Sequence, residues 1–163
     1  MATKSKEATV KVLSDTQIEM SRIFDAPREL VWKAMTDPNA IPKWWGLRNN
    51  KTVVDKMDVT VGGLWRYLEH DPEGNVHAFN GMYNELVPPE RIVYTFEYEP
   101  MAGHVVIDSV TLEDLGGKTR VSVVSTFQSK EDLDGMMQSG MEAGANESWD
   151  RLEELLAAMQ KEG

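Results

Sequence analysis

The spacing of apolar and polar residues divides most of the chain into three parts. Residues 17–24 alternate with a period of two, which is typical of a strand with one buried face. Residues 51–127 repeat this alternation about six times, with clusters of Gly, Pro and Asp between the repeats. Residues 140–161 instead carry apolar side chains every three or four positions, as an amphipathic helix does. The pattern predicts one strand, a connection, six further strands and a long helix.

The connection between the first strand and the other six carries two helix-start signals. Pro27 and Pro38 each suit the first turn of a helix, and Asp37 precedes Pro38 as a candidate N-cap. Pro42 then limits the length of the second helix. We therefore expect two short helices that form an elbow, ending at the Trp-Trp-Gly sequence of residues 44–46.

Short turns between consecutive strands predict an antiparallel meander. A curved antiparallel sheet can wrap around one amphipathic helix, so the predicted fold class is α+β. It has about seven strands around the C-terminal helix and two short helices after the first strand. Residues 1–15 are predicted to be a flexible N-terminal leader, and residues 16–163 a single domain. Glycines at 135 and 140 predict a break before the long helix.

Composition narrows the classes of function. The chain has no cysteine, which excludes disulfides, thiolate metal sites and a cysteine nucleophile. Its net charge of -10 disfavours nucleic acid and anionic membrane surfaces as partners. The first residues are polar and contain no apolar segment typical of a signal peptide, and no apolar stretch is long enough to span a bilayer. These features predict a cytoplasmic protein.

Motifs for metal, cofactor or nucleophilic chemistry are absent from the sequence. The histidines are His70, His77 and His104, and their spacing matches no metal-binding pair. The sequence has no phosphate-binding loop and no dinucleotide-binding fingerprint. We therefore predict no metal and no cofactor, and we assign no catalytic residue.

The inner face of the sheet and the long helix supply candidate residues for an internal cavity. Aromatic rings dominate this set, and they would either line an open space or pack solidly against the helix. Trp44 and Trp45 follow the elbow, where at least one ring is expected at the cavity mouth. The predicted lining comprises Trp44, Trp45, Met57, Trp65, Tyr67, His77, Phe79, Tyr83, Tyr94, Phe96, Val106, Asp108, Phe127, Met137, Met141 and Trp149.

Three polar residues are candidate anchors inside this cavity. Arg22 and Asp108 interrupt otherwise apolar strand faces, and His77 shares a face with Phe79. A buried charge needs a partner, so Arg22 and Asp108 would lie at an exposed edge, form a structural ion pair, or contact a ligand.

Several motifs, taken together, resemble one family. They are Arg22-Ile-Phe-Asp-Ala-Pro27, Thr36-Asp-Pro38, Trp44-Trp-Gly46, Val61-Gly-Gly-Leu-Trp65, Gly81-Met-Tyr83, Pro88-Pro-Glu-Arg91 and the helix beginning Glu147-Ser-Trp149. The chain is similar to the START-like SRPBCC superfamily and, within it, to small stand-alone relatives of the activator of the heat-shock-protein-ninety ATPase. The resemblance implies the helix-grip fold, as in START and Bet v-like proteins.

The resemblance leaves three functions open, because members of this family differ in role. The first is binding of an apolar or aromatic small molecule in the cavity. The second is a polyketide cyclase/aromatase-like or hydrolase-like enzyme. The third is a co-chaperone or stress-response protein whose partner would be a chaperone. We expect a monomer or a weak homodimer.

Overall fold

The computed structural model describes residues 8–162 of the chain. Eight strands lie in this range: β1 (Thr9–Val12), β2 (Gln17–Phe24), β3 (Lys51–Met57), β4 (Leu64–His70), β5 (Val76–Val87), β6 (Arg91–Tyr98), β7 (Val106–Asp114) and β8 (Thr119–Thr126). The described helices are α1 (Arg28–Thr36), α2 (Ile41–Trp44), α3 (Lys130–Gln138) and α4 (Met141–Glu162), with a short 3-10 turn at Glu99–Met101.

The strands form one antiparallel sheet in the order β1-β2-β8-β7-β6-β5-β4-β3. Strands β3 to β8 follow one another as the predicted meander, and β2 returns to pair with β8. The sheet curves around α4, so that the predicted α+β architecture with a long C-terminal helix is confirmed. The edges of the sheet are β1 and β3.

The N-terminal edge differs from the prediction. Residues 1–7 of the expected leader lie outside the described residues, but Thr9–Val12 pair with β2 as an edge strand. This strand is mostly exposed, so its sequence shows little apolar alternation. It forms because the backbone groups along the edge of β2 are available for hydrogen bonding. The Ala8 amide also donates to Asn146 Oδ1 of α4 at 2.8 Å. The described chain therefore has eight strands rather than about seven.

The elbow has two helices, as predicted, but the second begins later. Asp37 Oδ1 accepts a hydrogen bond from the Asn39 amide at 2.8 Å, which closes a turn instead of capping a helix. Helix α2 then spans only Ile41–Trp44, with Pro42 in its first turn. The predicted break before the long helix is present, because α3 ends at Gln138 and Gly140 has a φ of +84°.

One end of the interior is packed solidly. Leu152 and Leu156 of α4 are fully buried, together with Phe24 and Val121 on the sheet. The ring of Trp149 meets Phe24 edge-to-face, with centroids 5.6 Å apart. Burial of each of these side chains stabilises the fold by about 1.5–3 kcal/mol. The C-terminal half of α4 is thus held firmly against the sheet.

Arg22 belongs to this solid end and not to a cavity. Its side chain is 3% exposed, and Nη1 donates to Asp150 Oδ1 on α4 at 2.8 Å. The guanidinium carbon also lies 5.1 Å from the centre of the Phe24 ring. The expectation that Arg22 anchors a ligand is therefore replaced by its alternative, a structural ion pair between the sheet and α4.

Removing the partner of Arg22 should cost more stability than removing a surface ion pair. We expect Asp150→Ala to lower the free energy of unfolding by about 1–3 kcal/mol, because it leaves a buried guanidinium unpaired. The matched control is Glu154→Ala, one turn further along α4, which breaks an exposed pair with Arg48 and should cost less than about 1 kcal/mol. Urea unfolding followed by circular dichroism measures both, and equal losses would contradict this assignment.

Candidate ligand cavity

A cavity of about 480 Å³ lies between the inner face of the sheet, the elbow and the N-terminal half of α4. Most of the predicted lining surrounds it. The residues brought together are Trp44, Trp45, Trp65, Tyr67, Phe79, Tyr83, Tyr94, Phe96, Val106, Asp108, Phe127, Met141 and Trp149.

Three residues predicted to line the cavity lie elsewhere. His77 is on the expected face but beyond the end of the cavity, where Asp71 and the Tyr98 hydroxyl contact its two ring nitrogens at 3.0 and 2.9 Å. Met57 accepts a weak hydrogen bond from the Tyr67 hydroxyl, at 3.8 Å from its sulfur. Met137 packs beside the cavity, and its neighbour Met136 lines the cavity instead. Successive helical residues point about 100° apart, so the start of α3 decides which methionine faces inward.

Several lining residues were not predicted. Ile18 and Ser125 could have been found from strand register, because they continue one row with Asp108 and Tyr94 across β2, β8, β7 and β6. The other additions are the carboxylate Glu69 and a set of aliphatic or small residues on the sheet, the elbow and the helices: Met20, Met35, Ile41, Gly46, Leu47, Ile92, Val110, Val123, Met136, Gly144, Ala145 and Ser148.

The aromatic wall of the cavity is built on a glycine. Trp65 and Gly81 are direct partners across β4 and β5, and the indole lies over the glycine. A Cβ atom at Gly81 would lie 2.5 Å from Trp65 Nε1 and would overlap the Thr95 carbonyl oxygen. Only glycine leaves room for the ring to lie against the sheet at this point.

The remaining rings support one another and leave the centre open. Trp45 contacts the rings of Tyr67 and Phe79 edge-to-face, each at a centroid distance of 5.1 Å. The Phe79 ring in turn lies 5.5 Å from that of Phe96. Trp45, Phe79 and Phe96 are only half-buried although they face the interior. Their remaining exposed area borders the cavity, since rigid rings that brace one another do not collapse into it.

Asp108 places a carboxylate in this aromatic space. Its Oδ1 accepts a hydrogen bond from Ser125 Oγ at 2.6 Å. Burial raises the pKa of Asp108 to about 6, and the Ser125 and Tyr94 hydroxyls partly oppose this shift by stabilising the ionised form. Asp108 is therefore mostly ionised at neutral pH, without a cationic side chain among the described residues of the lining.

The hydroxyl and indole groups of the lining stay neutral. Burial raises the pKa of Tyr94 well above its usual value, and burial also raises the pKa of Tyr67 and of Tyr83. Trp65 is 2% exposed, and its Nε1–H has no hydrogen-bond acceptor within the described part of the chain. This N–H lies against Gly81 and out of contact with the cavity, and an unpaired buried donor of this kind costs about 1–3 kcal/mol.

Two charged residues, Arg151 and Glu69, fix the rim of the cavity. Arg151 of α4 donates to the carbonyl oxygens of Lys43, Gly46 and Leu47 at 3.1, 3.0 and 3.3 Å. On the other side, Glu69 Oε2 accepts from the Leu47 amide at 2.9 Å and from Asn50 Nδ2 at 2.6 Å. The loop after α2 is therefore attached both to the helix and to the sheet, and Leu47, 41% exposed, lies at the cavity edge.

A curved antiparallel sheet that grips a long C-terminal helix, with a cavity between them, defines a START-like protein of the SRPBCC superfamily. The profile of the family described as "Activator of Hsp90 ATPase homolog 1-like protein" matches residues 25–157. The chain belongs to this family. Within residues 8–162, no helix combines the length and the apolar character needed to cross a bilayer.

Solved structures agree with this assignment. A protein from Rhodobacter sphaeroides is 26% identical with a TM-score of 0.87, over 93% of this chain and 99% of that one. A protein from Chromobacterium violaceum is 30% identical with a TM-score of 0.77, over 86% and 97% of the two chains. DynU16, from the dynemicin biosynthetic locus, shares the fold at 20% identity and a TM-score of 0.68, over 88% of this chain and 48% of that one. No curated protein matches the chain at a significant level.

The buried carboxylate should make the empty protein less stable as the pH rises. The pKa of Asp108 is raised to about 6 in the folded state, so the folded protein holds a proton that the unfolded chain releases near pH 4. The contribution of Asp108 to the free energy of unfolding therefore falls between about pH 4 and pH 6 and is constant above that window. We expect Asp108→Asn to be more stable than the wild type by about 1–3 kcal/mol at pH 7.5.

Urea unfolding of the wild type and of Asp108→Asn at pH 7.5 and pH 4.5 measures this effect. The difference between the two proteins should shrink at the lower pH. A difference that is the same at both pH values would show that Asp108 is not the group responsible.

Proposed function

We propose that the protein binds an apolar or aromatic small molecule in the cavity between the sheet and α4. The observation that carries this proposal is a cavity of about 480 Å³ bordered by half-buried aromatic rings. Ligand sites in proteins have volumes of roughly 300–1,000 Å³ and are lined by apolar groups with a few polar ones. The Asp108 carboxylate, the Ser125 hydroxyl and the tyrosine hydroxyls are the polar groups in this case.

The driving force would be the removal of apolar surface from water. A bicyclic aromatic ligand that loses about 300 Å² of apolar surface gains about 7 kcal/mol. The costs of immobilising the ligand reduce this gain, so dissociation constants in the micromolar to submillimolar range are expected. The half-buried rings of Trp45, Phe79 and Phe96 would lose exposed area on binding.

Acid–base chemistry on a bound ligand is a second candidate function. It is favoured by the position of Asp108, which borders the cavity beside the Tyr94 hydroxyl and whose pKa is raised to about 6. DynU16, which shares the fold, comes from a biosynthetic locus. If a cavity ligand is converted, mass spectrometry should show that Asp108→Asn slows its conversion at least about a hundredfold while binding persists. Unchanged conversion would exclude Asp108 as the acid or base.

The chaperone partner implied by the family resemblance stays a prediction. A co-chaperone role requires binding to the chaperone and a change in the chaperone's ATPase rate. The cavity residues give no evidence for or against such binding. A co-chaperone role would use the outer surface and would be compatible with an empty cavity.

Filling the cavity should abolish binding. We expect the uncharged fluorescent probe N-phenyl-1-naphthylamine to bind the wild type saturably, with increased emission. Ala145 lines the cavity from α4, so Ala145→Phe should weaken the affinity at least about tenfold by occupying its space. The matched control is Ala143→Phe, on the same helix but exposed, which should leave the affinity unchanged.

Fluorescence titration at fixed protein concentration measures these affinities. Circular dichroism of both variants checks that each retains the fold. Absence of saturable binding to the wild type, or an equal loss in both variants, would overturn the proposal that this cavity is the binding site.

A further inference from the structure

We infer that the cavity prefers protonated lipophilic amines, with the Asp108 carboxylate as the counter-ion of the ammonium group. This inference deepens the proposed function and rests on it. The aromatic lining alone would favour an uncharged ligand, and Asp108 adds a preference for a positively charged one. The ligand would place its apolar body against the rings and its nitrogen beside β7.

The charged side chains within the cavity lining have one sign, whereas Arg151 at the rim is not part of the lining and donates to backbone carbonyl oxygens. Asp108 and Glu69 are the carboxylates of the described lining, which holds no Lys, Arg or His. The buried guanidinium of Arg22, on β2, is paired with Asp150 at the solid end. An anionic ligand would therefore meet only like charge inside, and a cationic ligand would meet only opposite charge.

Asp108 is better placed than Glu69 to receive a ligand. Glu69 Oε2 already accepts from the Leu47 amide and from Asn50, and these bonds hold the rim loop. Asp108 accepts from the Ser125 hydroxyl, and Tyr94 is its partner on the neighbouring strand. A carboxylate has about four acceptor positions, so the two hydroxyls leave capacity for an ammonium N–H.

An ammonium group would relieve a cost that the empty protein carries. A carboxylate taken out of water without a cation is destabilising, whereas a hydrogen-bonded ion pair offsets much of that penalty. A neutral ligand beside Asp108 would leave its charge uncompensated. The expected order of affinity is therefore amine, then alcohol, then carboxylate for ligands of equal shape.

The rings add a second attraction for a cation. Tyr94 lies in register with Asp108, and its ring meets that of Trp65 at a right angle, with centroids 5.8 Å apart. An ammonium within about 6 Å of such ring faces gains roughly 0.5–2 kcal/mol. Finally, the net charge of -10 raises the local concentration of cations around the protein.

Three naphthalene probes of similar shape test the inference. They are 1-naphthylmethylamine, 1-naphthylmethanol and 1-naphthoate, titrated into the wild type at pH 7.5 by isothermal calorimetry. We expect the amine to bind at least about tenfold more tightly than the alcohol, and the carboxylate more weakly than the alcohol.

Variants locate the source of the preference. Asp108→Asn should reduce the affinity for the amine to that for the alcohol and leave the alcohol's affinity within about twofold. Glu113→Gln is the matched control, because it removes the same charge from an exposed position on the same strand. It should preserve the amine preference.

A measurement on the wild type gives the same information without a variant. Intermolecular nuclear Overhauser effects should place the methylene group beside the amine near the side chains of Val110 and Val123, which neighbour Asp108 on the inner face. Placement of that methylene at the rim, beside Leu47, would overturn the assignment.

The outcomes separate this inference from the proposed function. Equal binding of the amine and the alcohol would overturn the inference while apolar binding stands. An amine preference that survives in Asp108→Asn would overturn the role of Asp108. Failure of all three probes and of N-phenyl-1-naphthylamine would overturn the proposed function itself.

Discussion

The solid packing of the C-terminal half of α4 is the constraint on which the hollow half depends. Leu152 and Leu156 lose all contact with water against the closed end of the sheet, and the Arg22–Asp150 pair joins the same two elements. A helix held so firmly at one end can border an empty space at the other without collapsing onto the sheet. The last turns of α4 thus stabilise the fold, and its first turns border the cavity.

The cavity also depends on how its walls are held apart. Trp65 rests on Gly81, the other rings brace one another edge-to-face, and Arg151 ties the rim loop to α4 through backbone carbonyls. Each of these contacts fixes a rigid group at a set distance from its neighbour. An interior of aliphatic side chains would close such a space more readily, because those side chains change rotamer at low cost.

The sequence predicted the fold and most of the cavity because both follow from period-two alternation on a curved sheet. Alternation places Phe79 on the inner face correctly, but it also places His77 there without showing that the cavity ends before it. Strand register decides that Ser125 lies beside Asp108, and register depends on turn geometry that alternation does not encode. Arg151 could not be found from the sequence, because its partners are backbone carbonyl oxygens, which leave no residue pattern.

Asp108 connects the stability of this protein with its binding. An ionised carboxylate in an aromatic interior opposes folding of the empty chain, and its hydrogen bond from Ser125 offsets only part of the cost. An apolar residue of similar size at this position would remove that cost. The carboxylate therefore benefits the protein only if a group from outside the chain compensates its charge. A cationic ligand would do so, and its binding energy would then include the relief of a penalty that folding itself created.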